Sequence, residues 1–336
     1  MRFVTRQGLV RRLLFCTLAV LSIASGCSSP SSPTPPPPPP PPPEAPALTC
    51  SESINRGTIN AGGMSISYSE PELRGGQNPV NVVCSPESGA TFPIGQTTVT
   101  CTATDGLQRQ AQCTFGITVT KLPQLSRLRY MAFGDSITAG EVTFPVSTSA
   151  PLISKQVLVP AAAYPTVLER LLRARYQFQS DQIFVNNAGV GGEKAIDARN
   201  RFFATMSSFK PDAVLILSGH NDIPRGEDGA ASGAANEVRI MAQGAKSAGA
   251  RVFIATPVPG RPGGNRTIDP FLLLDYAGRM RNVAATEGAV LVDLYALMQP
   301  DVFRYIGVDG LHPNEAGYTR IAELFFEAIQ RELEVR

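Results

Sequence analysis

The stretch YMAFGDSIT, residues 130–138, begins as a continuous apolar run and ends abruptly in Gly134, Asp135 and Ser136. A short apolar run without alternation is typical of a strand that is buried on both faces, as in a parallel sheet. The residues that follow fit a simple turn, and they equally fit a strand end that presents Ser136 as a nucleophile. The choice depends on what stands at the ends of the neighbouring strands.

Four further apolar runs after residue 121 have the same character. They are QIFVNNAG, DAVLILSG, RVFIATP and AVLVDLY. Segments with helical character lie between and after these runs, at residues 164–176, 193–207, 234–248, 269–287 and 314–336. Strands that alternate with helices pair in parallel through right-handed crossovers, so we predict a three-layer α/β/α domain over residues 125–336. Ligands bind such a sheet beyond the carboxyl ends of its strands, which is where Ser136 falls.

Residues with the chemistry of ester hydrolysis stand at strand ends and before the last helical segment. Ser136 is the candidate nucleophile, and His312 is the candidate base that takes its proton. Asp309 stands three residues before His312 and can orient the imidazole and stabilise its charged form. Each of these residues, read alone, also fits an ordinary role as a turn or helix-entry residue.

Four motifs follow one another along this half of the chain: GDSIT (134–138), NAGVGG (187–192), GHND (219–222) and DGLH (309–312). In these motifs and in their order, residues 128–333 resemble the SGNH/GDSL hydrolase family of esterases and lipases. The resemblance implies a flavodoxin-like fold with a parallel sheet, and a serine ester hydrolase that needs no cofactor and no metal ion.

The resemblance also implies the site residues. Ser136, His312 and Asp309 form the triad, and the oxyanion hole consists of the backbone N–H groups of Ser136 and Gly192 and the side-chain amide of Asn221. A glycine at 192 allows a close approach of backbone to substrate.

Two further residues, His220 and Asp135, are expected to line the substrate site. The GHND order is seen in carbohydrate acetylesterase-like members of the family, which favours short acyl groups such as those of O-acetylated carbohydrates. Two alternatives stay open: a lipase or lysophospholipase for longer acyl chains, and an adhesion protein that binds acylated glycans without hydrolysing them.

Two segments near the strand ends bear on the substrate. The apolar insertion at residues 141–163 either forms a lid or acyl-binding wall, or packs against the module that precedes this domain. The polar loop GRPGGNRTID, residues 260–269, is expected to be flexible and to contact a sugar or a polar head group.

Charge and cysteine usage exclude some classes of protein. The chain has 30 Lys and Arg residues against 28 Asp and Glu residues, which gives no electrostatic reason to expect a nucleic-acid partner. All six cysteines precede residue 121, whereas the two histidines, His220 and His312, follow it. A Cys/His zinc site of the usual spacing is therefore absent from the sequence.

The N-terminus predicts export. Four arginines precede an apolar run at residues 13–24, which is shorter than the roughly 20 residues of a membrane-spanning helix. We predict a signal peptide at residues 1–26, followed by Cys27 in a sequence that resembles a bacterial lipobox, in which the cysteine is lipidated. The predicted location is the bacterial cell envelope, where the lipoprotein is anchored to a membrane. Residues 27–46 contain nine consecutive prolines and predict a semi-rigid linker.

Residues 47–121 predict a small β-sandwich, because short strands rich in Val, Thr and Ile alternate with turn residues. Its four cysteines imply two disulfides in an exported module, and three pairings are possible. The cysteines are Cys50, Cys84, Cys101 and Cys113. Residues 84–120 resemble the hyalin repeat (HYR), an immunoglobulin-like module of extracellular adhesion proteins. Such a module either binds a glycan or a protein, or serves only as a stalk.

Overall fold

The computed structural model describes residues 37–146, 154–223 and 229–335. The predicted signal peptide and Cys27 lie outside the described residues, and the predicted linker is described only from residue 37 onward. Residues 37–44 are exposed and have no regular secondary structure. In the part of the chain that is described, no helix is both long enough and apolar enough to cross a membrane. The strands and helices below belong to one compact unit, Ala45–Arg336.

The first eight strands form the predicted β-rich module. They are β1 Ala47–Thr49, β2 Ile54–Thr58, β3 Met64–Ser65, β4 Glu72–Arg74, β5 Asn81–Ser85, β6 Thr91–Phe92, β7 Gly95–Thr104 and β8 Gln110–Lys121. The main sheet has the order β2-β8-β7-β5, and β1 with β4 and β3 with β6 form two small sheets. Along β7 and β8 every second residue is buried, including Val99, Cys101 and Ile117, so one face of this hairpin forms the core of the module.

The disulfides of this module join Cys50 to Cys113 and Cys84 to Cys101. Cys84 and Cys101 lie directly opposite each other on β5 and β7. The Cys50 disulfide ties the segment after β1 to the middle of β8. The structure thus selects one of the three pairings that the sequence allows.

The rest of the chain alternates strands and helices, as predicted. The strands are β9 Gln124–Leu125, β10 Arg129–Gly134, β11 Glu141–Pro145, β12 Ser154–Leu158, β13 Phe184–Gly189, β14 Ala213–Leu217, β15 Arg251–Ala255, β16 Val290–Val292 and β17 Glu334–Val335. The α-helices are α1 Ser136–Ala139, α2 Tyr164–Arg175, α3 Ala195–Phe209, α4 Ala230–Ser247, α5 Pro270–Glu287, α6 Leu294–Met298, α7 Val302–Tyr305 and α8 Glu315–Leu333. Two 3₁₀ helices span Gln177–Gln182 and Gln299–Asp301.

The central sheet has the order β13-β10-β14-β15-β16, and all its pairs are parallel. This is the flavodoxin-like order, in which the first strand of the sheet lies between the second and the third. The chain leaves β10 toward one side of the sheet and later returns to its other side. In sheets of this topology the ligand crevice is expected at the carboxyl end of the strand where the chain changes direction, here β10, and Ser136 follows that strand directly.

Two hydrophobic cores cover the two faces of the sheet, which confirms the three-layer prediction. On one face α2 meets α8, where the rings of Tyr164 and Phe325 stack with centroids 5.2 Å apart. On the other face α3, α4 and α5 pack on the strands, and the rings of Phe133 and Phe202 meet edge to face at 5.0 Å. The strand ends are therefore held by apolar layers on both sides.

The predicted insertion at residues 141–163 contains a β-hairpin. β11 and β12 pair in antiparallel fashion outside the central sheet, and residues 147–153 between them lie outside the described residues. Phe144 and Val146 near the end of β11 are exposed, at 46% and 62% of their surface. The first residue of β11, Glu141, follows the nucleophile helix α1 after a single glycine, so the hairpin begins beside Ser136.

Candidate active site

Ser136 is the first residue of α1, a helix of only four residues that begins where β10 ends. The side chain of Asp135 caps this helix by accepting from the backbone N–H of Ile137 at 3.0 Å. A Cβ atom at Gly134 would lie 2.0 Å from the carbonyl oxygen of Leu217 on β14, so only glycine allows this tight exit from the strand. The serine is buried, with 4% of its surface exposed.

His312 and Asp309 meet Ser136 from a turn that precedes α8. The Nε2 atom of His312 lies 2.9 Å from Ser136 Oγ, and its Nδ1 atom lies 2.6 Å from Asp309 Oδ2. The other carboxylate oxygen, Oδ1, accepts from the backbone N–H groups of Leu311 and His312. The structure thus brings the three predicted triad residues into one hydrogen-bonded chain, although 176 positions separate Ser136 from His312.

The environment of Asp309 keeps its carboxylate charged. Burial alone would raise the pKa of Asp309, but the hydrogen bond and charge of His312 and the two backbone N–H groups outweigh it and hold that pKa below its ordinary value. A charged carboxylate at Nδ1 requires the proton of the neutral imidazole to sit on Nδ1. The lone pair of Nε2 then faces the hydroxyl of Ser136, as a general base requires.

The predicted oxyanion glycine lies in the turn after β13. Gly192 has φ of 76°, and a Cβ atom there would meet nothing within 4 Å. The positive φ favours glycine, and the open space in front of it allows a substrate to approach the backbone. The turn is fastened to the nucleophile strand, because the backbone N–H of Val190 donates to the carbonyl of Gly134 at 3.0 Å.

A salt bridge between Arg201 and Glu193 stiffens the same turn. Arg201 Nε donates to Glu193 at 2.7 Å, and its other nitrogens donate to the carbonyls of Ala188 and Gly134. Asn221, the predicted third oxyanion donor, uses one N–H of its amide on the carbonyl of Glu193 at 3.0 Å. An amide carries two N–H groups, so this bond fixes the direction of the second. The role of Asn221 toward an oxyanion stays a prediction.

Asp222 holds the other end of the turn. Its carboxylate accepts from the backbone N–H groups of Ala195 and Ile196, which open α3. Burial raises the pKa of Asp222, and the two N–H groups and nearby Lys194 oppose that rise only in part. The residue acts as a cap for α3 that is supplied by a neighbouring strand end.

His220 and Asp135 lie together next to the site. His220 Nε2 accepts from the backbone N–H of Val258 at 3.0 Å, and its Nδ1 lies 3.6 Å from Asp135 Oδ2. Both side chains are buried. These contacts join the ends of β10, β14 and β15 into a wall, and direct contact of His220 or Asp135 with substrate stays a prediction.

The composition of the polar loop at residues 260–269 suggested flexibility, but in the structure the loop is fixed by backbone contacts. Arg266 donates its backbone N–H to the carbonyl of Asp309 at 2.7 Å, and Arg261 donates its own to the carbonyl of Gly310 at 3.0 Å. A Cβ atom at Gly264 would lie 2.1 Å from the backbone of Asp309. The loop therefore supports the turn that carries the triad aspartate.

Glu141 is a site residue that no motif indicated. Its Oε2 atom lies 3.9 Å from His312 Nε2, and only 17% of its side chain is exposed. On its other side, a Cβ atom at Gly191 would lie 2.2 Å from Glu141 Oε1. Glu141 thus lies between Gly191 and His312, and its position brings a second carboxylate to the triad.

The geometry agrees with a comparison to protein-family models. Residues 132–320, which contain every triad residue, match the model of the GDSL-like lipase/acylhydrolase family. The chain belongs to this family. Residues 43–119 match the model of the HYR domain, so the β-rich module that precedes the GDSL-like domain is of that type.

A curated relative of the GDSL-like chain is the acetylxylan esterase of Xylanibacter ruminicola. The two are 26% identical over 236 residues, which are 62% of this chain and 44% of the relative. The chain thus spans less than half the length of that protein.

A solved structure of a similar protein has the same fold. The lipase/acylhydrolase from Enterococcus faecalis has a TM-score of 0.50 at 23% identity and covers 61% of this chain and 97% of its own. An α/β hydrolase from the metagenome of Lake Arreo, Spain, has a TM-score of 0.49 at 22% identity, with coverage of 61% and 95%.

Proposed function

We propose that this chain is a serine hydrolase of carboxylic esters. The observation that carries the proposal is the unbroken chain from Ser136 Oγ through His312 to the charged carboxylate of Asp309. It lies at the switch point of a parallel sheet, in a domain of the GDSL-like lipase/acylhydrolase family. An alcohol becomes a useful nucleophile when a neighbouring base takes its proton, and this arrangement supplies that base.

Acylation begins when Ser136 Oγ attacks the ester carbonyl and His312 Nε2 takes the hydroxyl proton. Asp309 stabilises the imidazolium that forms, and the backbone N–H groups of Ser136 and Gly192 and the amide of Asn221 stabilise the oxyanion. His312 then gives its proton to the leaving alcohol. Water next attacks the acyl-serine, again with His312 as base, and releases the acid and the free enzyme.

The substrate class that we propose is O-acetylated carbohydrate. Two observations support it: the GHND motif at residues 219–222, and the similarity to a relative that is named as an acetylxylan esterase. The exposed apolar side chains on the hairpin, Phe144, Val146 and Leu158, favour the alternative of a longer acyl chain. Rates with p-nitrophenyl esters of increasing chain length, together with acetylated xylan, distinguish the two. A maximum at long chains would exclude the acetylesterase.

Replacement of the nucleophile tests the proposed reaction. We expect Ser136→Ala to lower kcat for p-nitrophenyl acetate by about 10⁴-fold or more, since the variant cannot form the acyl-enzyme. Ser208→Ala, on the exposed side of α3, is the matched control and should leave the rate unchanged. Equal measurable rates in the wild type and in Ser136→Ala would exclude the serine mechanism. No hydrolysis by either protein would favour a protein that binds acylated glycans without hydrolysing them.

We further propose that the protein is exported and held at a membrane of the cell envelope through a lipid on Cys27. The charged and apolar residues of the first 26 positions support this location. The two disulfides in the HYR domain agree with an oxidising compartment. Fractionation of cells that express the wild type or Cys27→Ser tests the anchor: we expect only the wild type in the membrane fraction, and equal partition of both would overturn it.

A further inference from the structure

The carboxylate of Glu141 has a place in the site but no part in the triad. Its Oε2 atom is fully buried and accepts no hydrogen bond from any residue that the structure describes. The backbone carbonyl of the same residue accepts from the hydroxyl of the buried Tyr318 at 2.6 Å, so the start of β11 is fixed. A buried carboxylate oxygen that receives no hydrogen bond from the described protein groups is a position where a water or a substrate group can donate.

The donor can be identified from the neighbouring acceptor. Glu141 Oε2 and His312 Nε2 are 3.9 Å apart, and both carry lone pairs in the resting site. One water oxygen about 2.7–2.8 Å from each atom spans this distance at an angle of about 90° between the two acceptors, which two slightly bent hydrogen bonds accommodate. A group with two hydrogens on one oxygen thus fits the pair.

Only the second half of the proposed reaction brings such a group to His312. In acylation the hydrogen that reaches Nε2 comes from Ser136, and the leaving alcohol takes it away on an oxygen with no other hydrogen. In deacylation the nucleophile is water, which has one hydrogen to give to His312 and one still to be held. Glu141 is the acceptor that can hold it.

We propose that Glu141 positions the water that hydrolyses the acyl-enzyme, an inference that rests on the ester hydrolysis proposed above. The water oxygen attacks the acyl carbon, and one proton moves to His312 Nε2 while the other stays hydrogen-bonded to Glu141 Oε2. The bond from the acyl carbon to Ser136 Oγ then breaks, His312 returns the proton to Oγ, and the carboxylic acid leaves. Glu141 begins and ends this step as a carboxylate.

Pre-steady-state kinetics with p-nitrophenyl acetate test the role, because the burst of nitrophenol measures acylation and the later steady phase measures deacylation. We expect Glu141→Ala to slow deacylation by about tenfold or more, since a misplaced nucleophile costs that much. Acylation and kcat/KM should stay within about twofold of the wild type. The acetyl-enzyme should accumulate and be visible by mass spectrometry of the intact protein.

Thr143→Val is the matched control. Thr143 lies two residues further along β11, on the same face, and its buried hydroxyl also lacks a hydrogen-bond partner among the described residues. The variant should leave both rates unchanged, which separates a displaced strand from a lost carboxylate. If Glu141→Ala does not fold, Glu141→Gln replaces it in the experiment. Because its amide oxygen still accepts a hydrogen bond, deacylation should slow by a smaller factor while acylation stays unchanged.

Three results would overturn the inference. Equal slowing of acylation and deacylation would show that Glu141 acts on His312 itself. Unchanged rates in both Glu141 variants would make the carboxylate a spectator, and equal losses in Thr143→Val would assign the effect to packing. A wild-type protein without any burst or turnover would instead refute the ester hydrolysis, because that result does not depend on Glu141.

Discussion

Two aspartate–histidine pairs lie side by side at the carboxyl ends of the central strands, and they differ in almost every contact. In the pair Asp309–His312 the ring nitrogen and the carboxylate are 2.6 Å apart, and backbone N–H groups hold the second oxygen. In the pair Asp135–His220 the corresponding distance is 3.6 Å. Neither of those two facing atoms has a hydrogen-bond partner among the described residues.

The difference shows what makes a histidine a base. His312 donates from Nδ1 and keeps the lone pair of Nε2 for Ser136. His220 uses the lone pair of Nε2 to accept the backbone N–H of Val258, so the lone pair that a base would need is already engaged. Both rings are buried beside a carboxylate, and they differ in their distance from that carboxylate and in whether a backbone N–H occupies Nε2.

The largest effect expected from this comparison is on kcat, when the aspartate of each pair is replaced. We expect Asp309→Asn to lower kcat by about 10³–10⁴-fold, because an amide in place of the carboxylate favours the wrong tautomer of His312. Asp135→Asn keeps the oxygen that caps α1 and should lower kcat by less than about tenfold. Steady-state measurements of kcat for the two purified variants test this difference. Similar losses in both would mean that the two pairs act as one unit.

A smaller effect, on stability rather than chemistry, is expected from His220. In His220→Ala the N–H of Val258 is left without its partner in a buried wall, which costs about 1–3 kcal/mol of the free energy of unfolding. Urea denaturation measures that loss, and kcat measured well below the new midpoint should fall by less than about tenfold. A loss of kcat beyond about 10³-fold in a folded variant would place His220 in the catalytic machinery.

The smallest expected effect is on the free energy of unfolding at acid pH. The pKa of Asp309 is lowered in the folded protein, against the effect of burial, from an unfolded value of about 3.9. Its carboxylate therefore stabilises the fold above about pH 4, and that contribution disappears as the pH falls through the lowered pKa. Asp309→Asn should be less stable than the wild type at neutral pH, with a difference that narrows in acid. A difference that stays constant down to about pH 2 would contradict this sign.

The fold and the triad could be predicted from the sequence because each depends on local signals. The apolar runs predicted strands that alternate with helices along the chain, and the four motifs indicated the residues that follow three of these strands and precede the last helix. The turn that carries Asp309 and His312 is short, so three positions of spacing already imply the contact between them. The switch point then follows from the general behaviour of parallel sheets.

Other features could not be predicted because they depend on long-range geometry. The disulfide pairing follows from which strands of the HYR domain are neighbours, and four cysteines alone leave that open. The loop at residues 260–269 is polar and rich in glycine, which suggests a mobile segment. In the structure, however, Gly264 packs closely against the backbone of Asp309, where a side chain would not fit. Glu141 carries no motif, and only the path of β11 past Gly191 brings it to His312.

The placement of the two disulfides has a consequence for biosynthesis. Cys50–Cys113 and Cys84–Cys101 both close within the first 113 residues, and no cysteine follows. Because chains fold from the N-terminus as they emerge, both cross-links can form before the segments that contain Ser136 and His312 have appeared. The residues after Cys113 then fold without a cysteine of their own that could pair wrongly, so cross-linking of the HYR domain does not have to wait for the GDSL-like domain.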